Sequence, residues 1–145
     1  MSARDSGPDP GRVLQSEASS VEAAPAPRFD VEVRTEPQAT VLVLTGELDH
    51  DSAPLLRERF DEVFDAAAAQ GSPSPGAVVV DCAELGFCDS TGLNVLLTAR
   101  LRAEEVGVGI RLATLRGHVV RMFEITGVGG VFSIHPDLAD ALAAG

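Results

Sequence analysis

The sequence predicts a single α/β domain in which amphipathic helices pack against a mixed central β-sheet. Three observations predict it. Short apolar runs alternate along the chain with longer segments whose apolar residues recur every three to four positions, the pattern of strands alternating with helices. The first two strand-like runs, near residues 30 and 42, are too close for a crossover, so they form a hairpin and the sheet cannot be purely parallel. Hydrophobic residues make up 45% of the 145, enough to fill the core of one domain.

In chain order, residues 1–27 carry Pro8, Pro10, Pro25 and Pro27 among Ser, Ala and acidic residues. They show no helix or strand period, and a disordered N-terminal tail is expected. The domain is expected over 28–145. Phe29, Val31 and Val33 alternate with Asp30, Glu32 and Arg34, a half-exposed strand suited to an edge, broken by Pro37. Val41 to Leu44 is continuously apolar and reads as a buried strand ending at Thr45-Gly46. A helix is expected from 52 to 69, with Leu56, Phe60, Val63, Phe64 and Ala67 on one face, capped by Asp51 or Ser52, with Pro54 in the first turn.

A loop with Pro73 and Pro75 follows from Gly71 to Gly76, then an apolar strand over 77–80. Residues 87–92 read as a turn into a second helix over 91–106, stopped by Gly107 and Gly109. Leu93, Leu96, Leu97 and Leu101 are its expected buried ridge. Ile110 and Leu112 mark a strand, 117–126 a third helix halted by Gly127, and 131–134 a last strand. Pro136 is expected to open the final helix.

Acidic residues outnumber basic ones 22 to 11, giving a net charge of −11. Such a chain repels nucleic acid phosphates, and no basic cluster reverses this locally, so direct nucleic acid binding is not expected. No apolar run reaches the roughly 20 residues needed to span a bilayer, and residues 1–10 lack an apolar stretch of signal-peptide type. A cytoplasmic protein without membrane attachment is expected. Cys82 and Cys88 have no further Cys and no His cluster beside them, which is poor zinc-site chemistry; two reduced thiols are expected.

The informative segment runs from Val78 through Asp89-Ser90-Thr91-Gly92-Leu93, a strand followed by a helix start. A serine there can cap the helix, and on residue type alone that structural role accounts for Ser90. Three details point further. Gly92 places no side chain beside the hydroxyls. Ser90, Asn94 and Thr98 fall four apart, so a polar stripe runs from Ser90 along the helix. A phosphate on Ser90 would face a helix N-terminus, where backbone donors and the dipole favour an anion.

These residues resemble the STAS family of bacterial anti-sigma factor antagonists. Thr45-Gly46-Glu47-Leu48-Asp49 resembles its first signature, Asp89-Ser90-Thr91-Gly92-Leu93 its second, and Val119 to Val128 its third helix with the Gly stop. The likeness spans about residues 29–143. The longer tail, the extended 71–76 loop and Asn94, where the family often has a small residue, depart from the pattern. The resemblance implies a STAS fold and no enzymatic activity or cofactor. It implies that the unmodified protein binds an anti-sigma factor that is also a serine kinase, freeing a sigma factor. Phosphorylation of Ser90, with Thr91 the fallback, then ends the complex, and a serine phosphatase resets it. Glu47, Asp49, Asp89, Ser90, Thr91, Gly92, Asn94 and Thr98 are the implied partner-binding residues. The alternative for the same domain is a stressosome-like scaffold subunit.

Other constellations carry less. Asp49, His50 and Asp51 are adjacent in a turn, where side chains rarely converge on one metal ion. His118 and His135 read as capping or surface residues. Asp-Ser-Thr-Gly occurs once, whereas an aspartic protease needs two carboxylates sharing a proton. No Gly-x-Ser-x-Gly elbow surrounds Ser90. Gly127 to Gly130 follows a helix and precedes a strand, the wrong context for a phosphate loop.

Overall fold

The computed structural model describes residues 28–69 and 76–144. The tail expected over 1–27 and most of the 71–76 loop lie outside the described residues. Within them, five strands form one sheet: β1 (Asp30–Glu36), β2 (Ala39–Leu48), β3 (Ala77–Cys88), β4 (Gly109–Ala113) and β5 (Ser133–His135). The helices are α1 (Ala53–Ala69), α2 (Ser90–Val106), α3 (Gly117–Thr126) and α4 (Leu138–Ala143), with a short 3-10 turn at Val128–Val131. The strand order is sequential, β1-β2-β3-β4-β5. The β1–β2 hairpin is antiparallel and every other pairing is parallel, as the spacing of the first two apolar runs requires.

Sequential parallel strands joined by crossovers of one hand place all the crossover helices on one face. Here α1, α2 and α3 cover that face. Leu56, Phe60 and Phe64 of α1, Leu93 and Leu96 of α2, and Val119 and Phe123 of α3 share one core with Leu42, Leu44, Val78, Val80 and Leu112 of the sheet. The opposite face carries a smaller core in which Ala141 of α4 meets Ala39, Val41, Ala77, Val79 and Ala113. Both faces of the middle strands are therefore buried, which is why β2 and β3 read as unbroken apolar runs.

Several boundaries differ from the sequence expectation, each for a tertiary reason. β2 continues past Thr45-Gly46 to Leu48 through an irregular register. Gly46 has φ +97°, and a Cβ there would lie 2.8 Å from the Arg28 carbonyl oxygen, so this bulge needs glycine. β3 likewise runs to Cys88, because Glu84, Leu85, Phe87 and Cys88 pair with the extended part of β2; Phe87 and Cys88 are strand, not turn. Gly107, in the left-handed conformation, caps α2 alone, and Gly109 already begins β4. The expected 131–134 strand is shifted to Ser133–His135, since Val128–Val131 closes into the 3-10 turn after Gly127. Asp137, not Pro136, opens α4: its side chain accepts from the Asp140 N–H at 2.8 Å. Leu101 is 56% exposed, whereas Val95, Ala99 and Ala103 join Leu93 and Leu96 in the buried face of α2. α2 packs against both the sheet and its neighbour α1, so small residues on its flank are buried and a leucine on its outer side is not.

Candidate functional site

The site forms where two parallel strands end together. Glu47-Leu48 of β2 and Phe87-Cys88 of β3 are paired, so the turn into α1 and the start of α2 leave the sheet side by side. Asp89 joins them. One carboxylate oxygen accepts from the Gly92 N–H at 2.9 Å and the other from the His50 N–H at 3.2 Å. Its own N–H donates to the Leu48 carbonyl at 3.0 Å. The N-cap of α2 is thus Asp89; Ser90, which the helix-start argument placed in that role, is the first helical residue. The physical consequence is that the Ser90 hydroxyl is released from capping. It is exposed and has no hydrogen-bond partner among the described residues.

Gly92 is buried, and its role differs from the one expected. A Cβ there would overlap Leu48 Cγ and stand 3.1 Å from the Leu48 carbonyl oxygen. Glycine at this position lets α2 approach the end of β2, and its surface cannot be offered to a partner. Thr91 is half-buried, while Asn94 and Thr98 are exposed, so the polar stripe from Ser90 along α2 faces solvent.

The neighbouring turn is built by Asp49 and Ser52. Asp49 Oδ1 accepts from the N–H groups of Asp51 at 3.0 Å and Ser52 at 3.1 Å and from Ser52 Oγ–H at 3.1 Å. Ser52 Oγ accepts from the Asp49 N–H at 2.8 Å and can instead turn its proton to the Glu47 carbonyl at 2.8 Å. The first donors of this turn therefore go to Asp49, not to a cap at Asp51 or Ser52. These bonds, led by the one from the Ser52 N–H, hold the Asp49 carboxyl below the usual carboxylate range. Asp49, with its oxygen so engaged, serves the turn rather than a metal ion. Glu47 is exposed. Glu47, Asp49, Asp51 and Ser52 line a shallow depression with Phe29 and Leu55. Glu47, Asp49, Asp89, Ser90 and Thr91 are thereby brought together, while Thr98 lies two helical turns from Ser90 beside a groove between α1 and α2.

Sequence reasoning missed one neighbour. The His118 ring stacks on Phe87 with centroids 4.6 Å apart, and its Nε2 lies 3.3 Å from the Cys88 carbonyl, two residues before Ser90. Nothing in the spacing of residues 30 apart signals this contact; only the placing of α3 beside the end of β3 creates it. Cys82 and Cys88 are free and buried. Burial raises both thiols, that of Cys88 to about 12, which keeps them protonated and unreactive at neutral pH. Among the described residues no helix is long and apolar enough to cross a membrane.

This architecture has close counterparts. The anti-sigma-B factor antagonist of Bacillus subtilis is 28% identical over 106 residues, which cover 73% of this chain and 90% of that protein. The anti-sigma F factor antagonist of Paenibacillus polymyxa is 24% identical over 116 residues, covering 79% and 94%. Among solved structures, an anti-sigma factor antagonist from Mycobacterium paratuberculosis superposes with a TM-score of 0.63 at 29% identity, covering 81% of this chain and 93% of that one. The family model described as "Mlab, STAS domain" matches residues 31–138, the span from the first strand of the sheet to the start of α4. With the mixed five-stranded sheet and its helices in the same order, the chain belongs to the STAS domain family.

Proposed function

We propose that this protein is an anti-sigma factor antagonist whose Ser90 face binds an anti-sigma factor with serine kinase activity. The observation that carries the reading is the division of labour at the start of α2. Asp89 caps the helix and ties it to the turn at His50, leaving the Ser90 hydroxyl exposed on a rigid element. A kinase needs an acceptor hydroxyl that is accessible, positioned and not engaged elsewhere. Relatives named as anti-sigma factor antagonists support the partner class. Glu47, Asp49, Asp89, Thr91, Asn94 and Thr98 frame the docking surface on this reading, with Gly92 beneath it as a spacer. Phosphorylation of Ser90 ends the complex and a serine phosphatase restores it.

The test is incubation of the full chain with a candidate anti-sigma kinase and ATP, read by mass spectrometry. One phosphate is expected, on Ser90. Ser90→Ala should abolish incorporation with little loss of stability, because the hydroxyl holds no cap. Incorporation on Thr91 in that variant would move the acceptor by one residue. The absence of phosphate from wild type, despite complex formation, would remove phosphorylation from the cycle.

A further inference from the structure

On the last strand of the sheet, away from the Ser90 face, three side chains form a chain of hydrogen bonds. Ser133 Oγ lies 2.8 Å from His135 Nε2, and His135 Nδ1 lies 3.1 Å from Asp140 Oδ2. Ser133 and His135 are two apart on β5 and so point to the same face, while Asp140 reaches them from the first turn of α4. The bonding pattern sets the tautomer: with Nδ1–H donated to the carboxylate, Nε2 carries the lone pair that accepts the Ser133 proton. The His135 side chain is only 15% exposed while Asp140 is 55% exposed, so the imidazole is sheltered and Ser133, on the exposed strand, is open to solvent. Arg111 of β4 is registered directly opposite Ser133. One of its guanidinium N–H groups donates to the Ala141 carbonyl at 2.9 Å, which holds the Arg111 side chain against α4 on the face of the sheet that Ser133 shares.

We propose that Ser133, His135 and Asp140 form a nucleophile–base–acid relay that accepts acyl groups from small activated carboxylic esters. The distances meet the two geometric requirements of such a relay: nucleophile to base, and base to orienting acid. Ser133 Oγ attacks the ester carbonyl carbon, forming the C–O bond, and its proton passes to His135 Nε2. Asp140 holds the imidazolium, and the oxyanion develops on the face of the sheet that carries the Arg111 charge. The alcohol leaves with the proton from His135 as the acyl–alkoxy bond breaks. Water, deprotonated by the same Nε2, then hydrolyses the acyl-serine.

The test uses the full chain and a fluorophosphonate probe, followed by peptide mapping. The native protein should carry the adduct on Ser133, and the same protein unfolded in urea should not, because the relay exists only in the fold. With p-nitrophenyl butyrate, Ser133→Ala and His135→Gln should each lower the rate at least tenfold, while far-UV circular dichroism and urea midpoints report that the variants fold. No adduct on Ser133 in the native protein, or equal labelling in urea, would overturn the proposal and leave the three residues as a tie between α4 and β5. Ser90 phosphorylation plays no part in this assay, so its outcome stands apart from the regulatory reading.

Discussion

Leu48 meets the start of α2 at a point where no side chain fits, and Gly92 answers that need. The contact a Cβ would make, overlapping Leu48 Cγ and 3.1 Å from its carbonyl oxygen, involves a fully buried side chain and its backbone, which leave little room to give way. Gly92→Ala should therefore destabilise by about 1–3 kcal/mol despite alanine's better helix propensity, the cost typical of overpacking. Equilibrium urea unfolding gives the answer, and an unchanged or raised midpoint would mean that the helix shifts freely. Asp49 makes a prediction of opposite character, in pH. Its folded-state pKa is lowered, chiefly by the Ser52 N–H, so the ionised form stabilises the fold. That contribution is complete above the ordinary carboxylate pKa and is lost as pH falls through the lowered folded value. The difference in melting temperature between wild type and Asp49→Asn should be widest near pH 7 and narrow toward pH 3. A difference independent of pH would assign the effect to hydrogen-bond geometry alone.

Single elements show what periodicity can and cannot reveal. The face of α1 was legible because the helix buries one stripe against the sheet, and Leu56, Phe60, Phe64 and Ala67 are buried as a 3.6-residue repeat requires. α2 contacts both the sheet and α1 at its side, so its buried arc extends toward Val95, Ala99 and Ala103; leucine spacing alone marks a different arc and includes Leu101. The consequence is measurable. Leu96→Ala should cost about 2–5 kcal/mol, as for a fully buried leucine, whereas Leu101→Ala should change stability by no more than about 0.5 kcal/mol. Equal costs in urea unfolding would show that Leu101 is packed in solution. Strand ends were illegible for a related reason. Thr45 to Leu48 and Glu84 to Cys88 become strand only because they pair with each other, across some 40 residues of sequence. The identity of the α2 cap was within reach of sequence, since Asp89 and Ser90 both cap well, but the choice between them is made by the His50 N–H, which also needs the Asp89 carboxylate.

At the scale of the whole molecule, charge decides how a modification on Ser90 is felt. The chain carries −11, and Glu47, Asp49, Asp51 and Asp89 gather around the ends of β2 and β3, so an added anion enters a field that is already negative. A kinase active site also presents a carboxylate to the hydroxyl it activates, and a partner that docks with that group over Ser90 meets a like charge once the serine is modified. Two unit charges about 5 Å apart at an effective dielectric of about 20 repel by about 3 kcal/mol, roughly a hundredfold in affinity. Phosphate, at about −1.5 to −2 near neutral pH, exceeds that figure, and aspartate, with one charge on a shorter side chain, falls below it. Ser90→Asp should therefore weaken partner binding by about ten- to a hundredfold while the domain stays folded, and Ser90→Ala should bind close to wild type. Because much of the field comes from exposed groups, raising the salt concentration from about 0.05 to 0.5 M should shrink the gap between the two variants. Calorimetric titration of the partner at both salt concentrations measures it. Equal affinities for Ser90→Asp and Ser90→Ala would exclude local charge as the switch and shift the explanation to a rearrangement of the Asp89 cap, which joins α2 to the turn at His50.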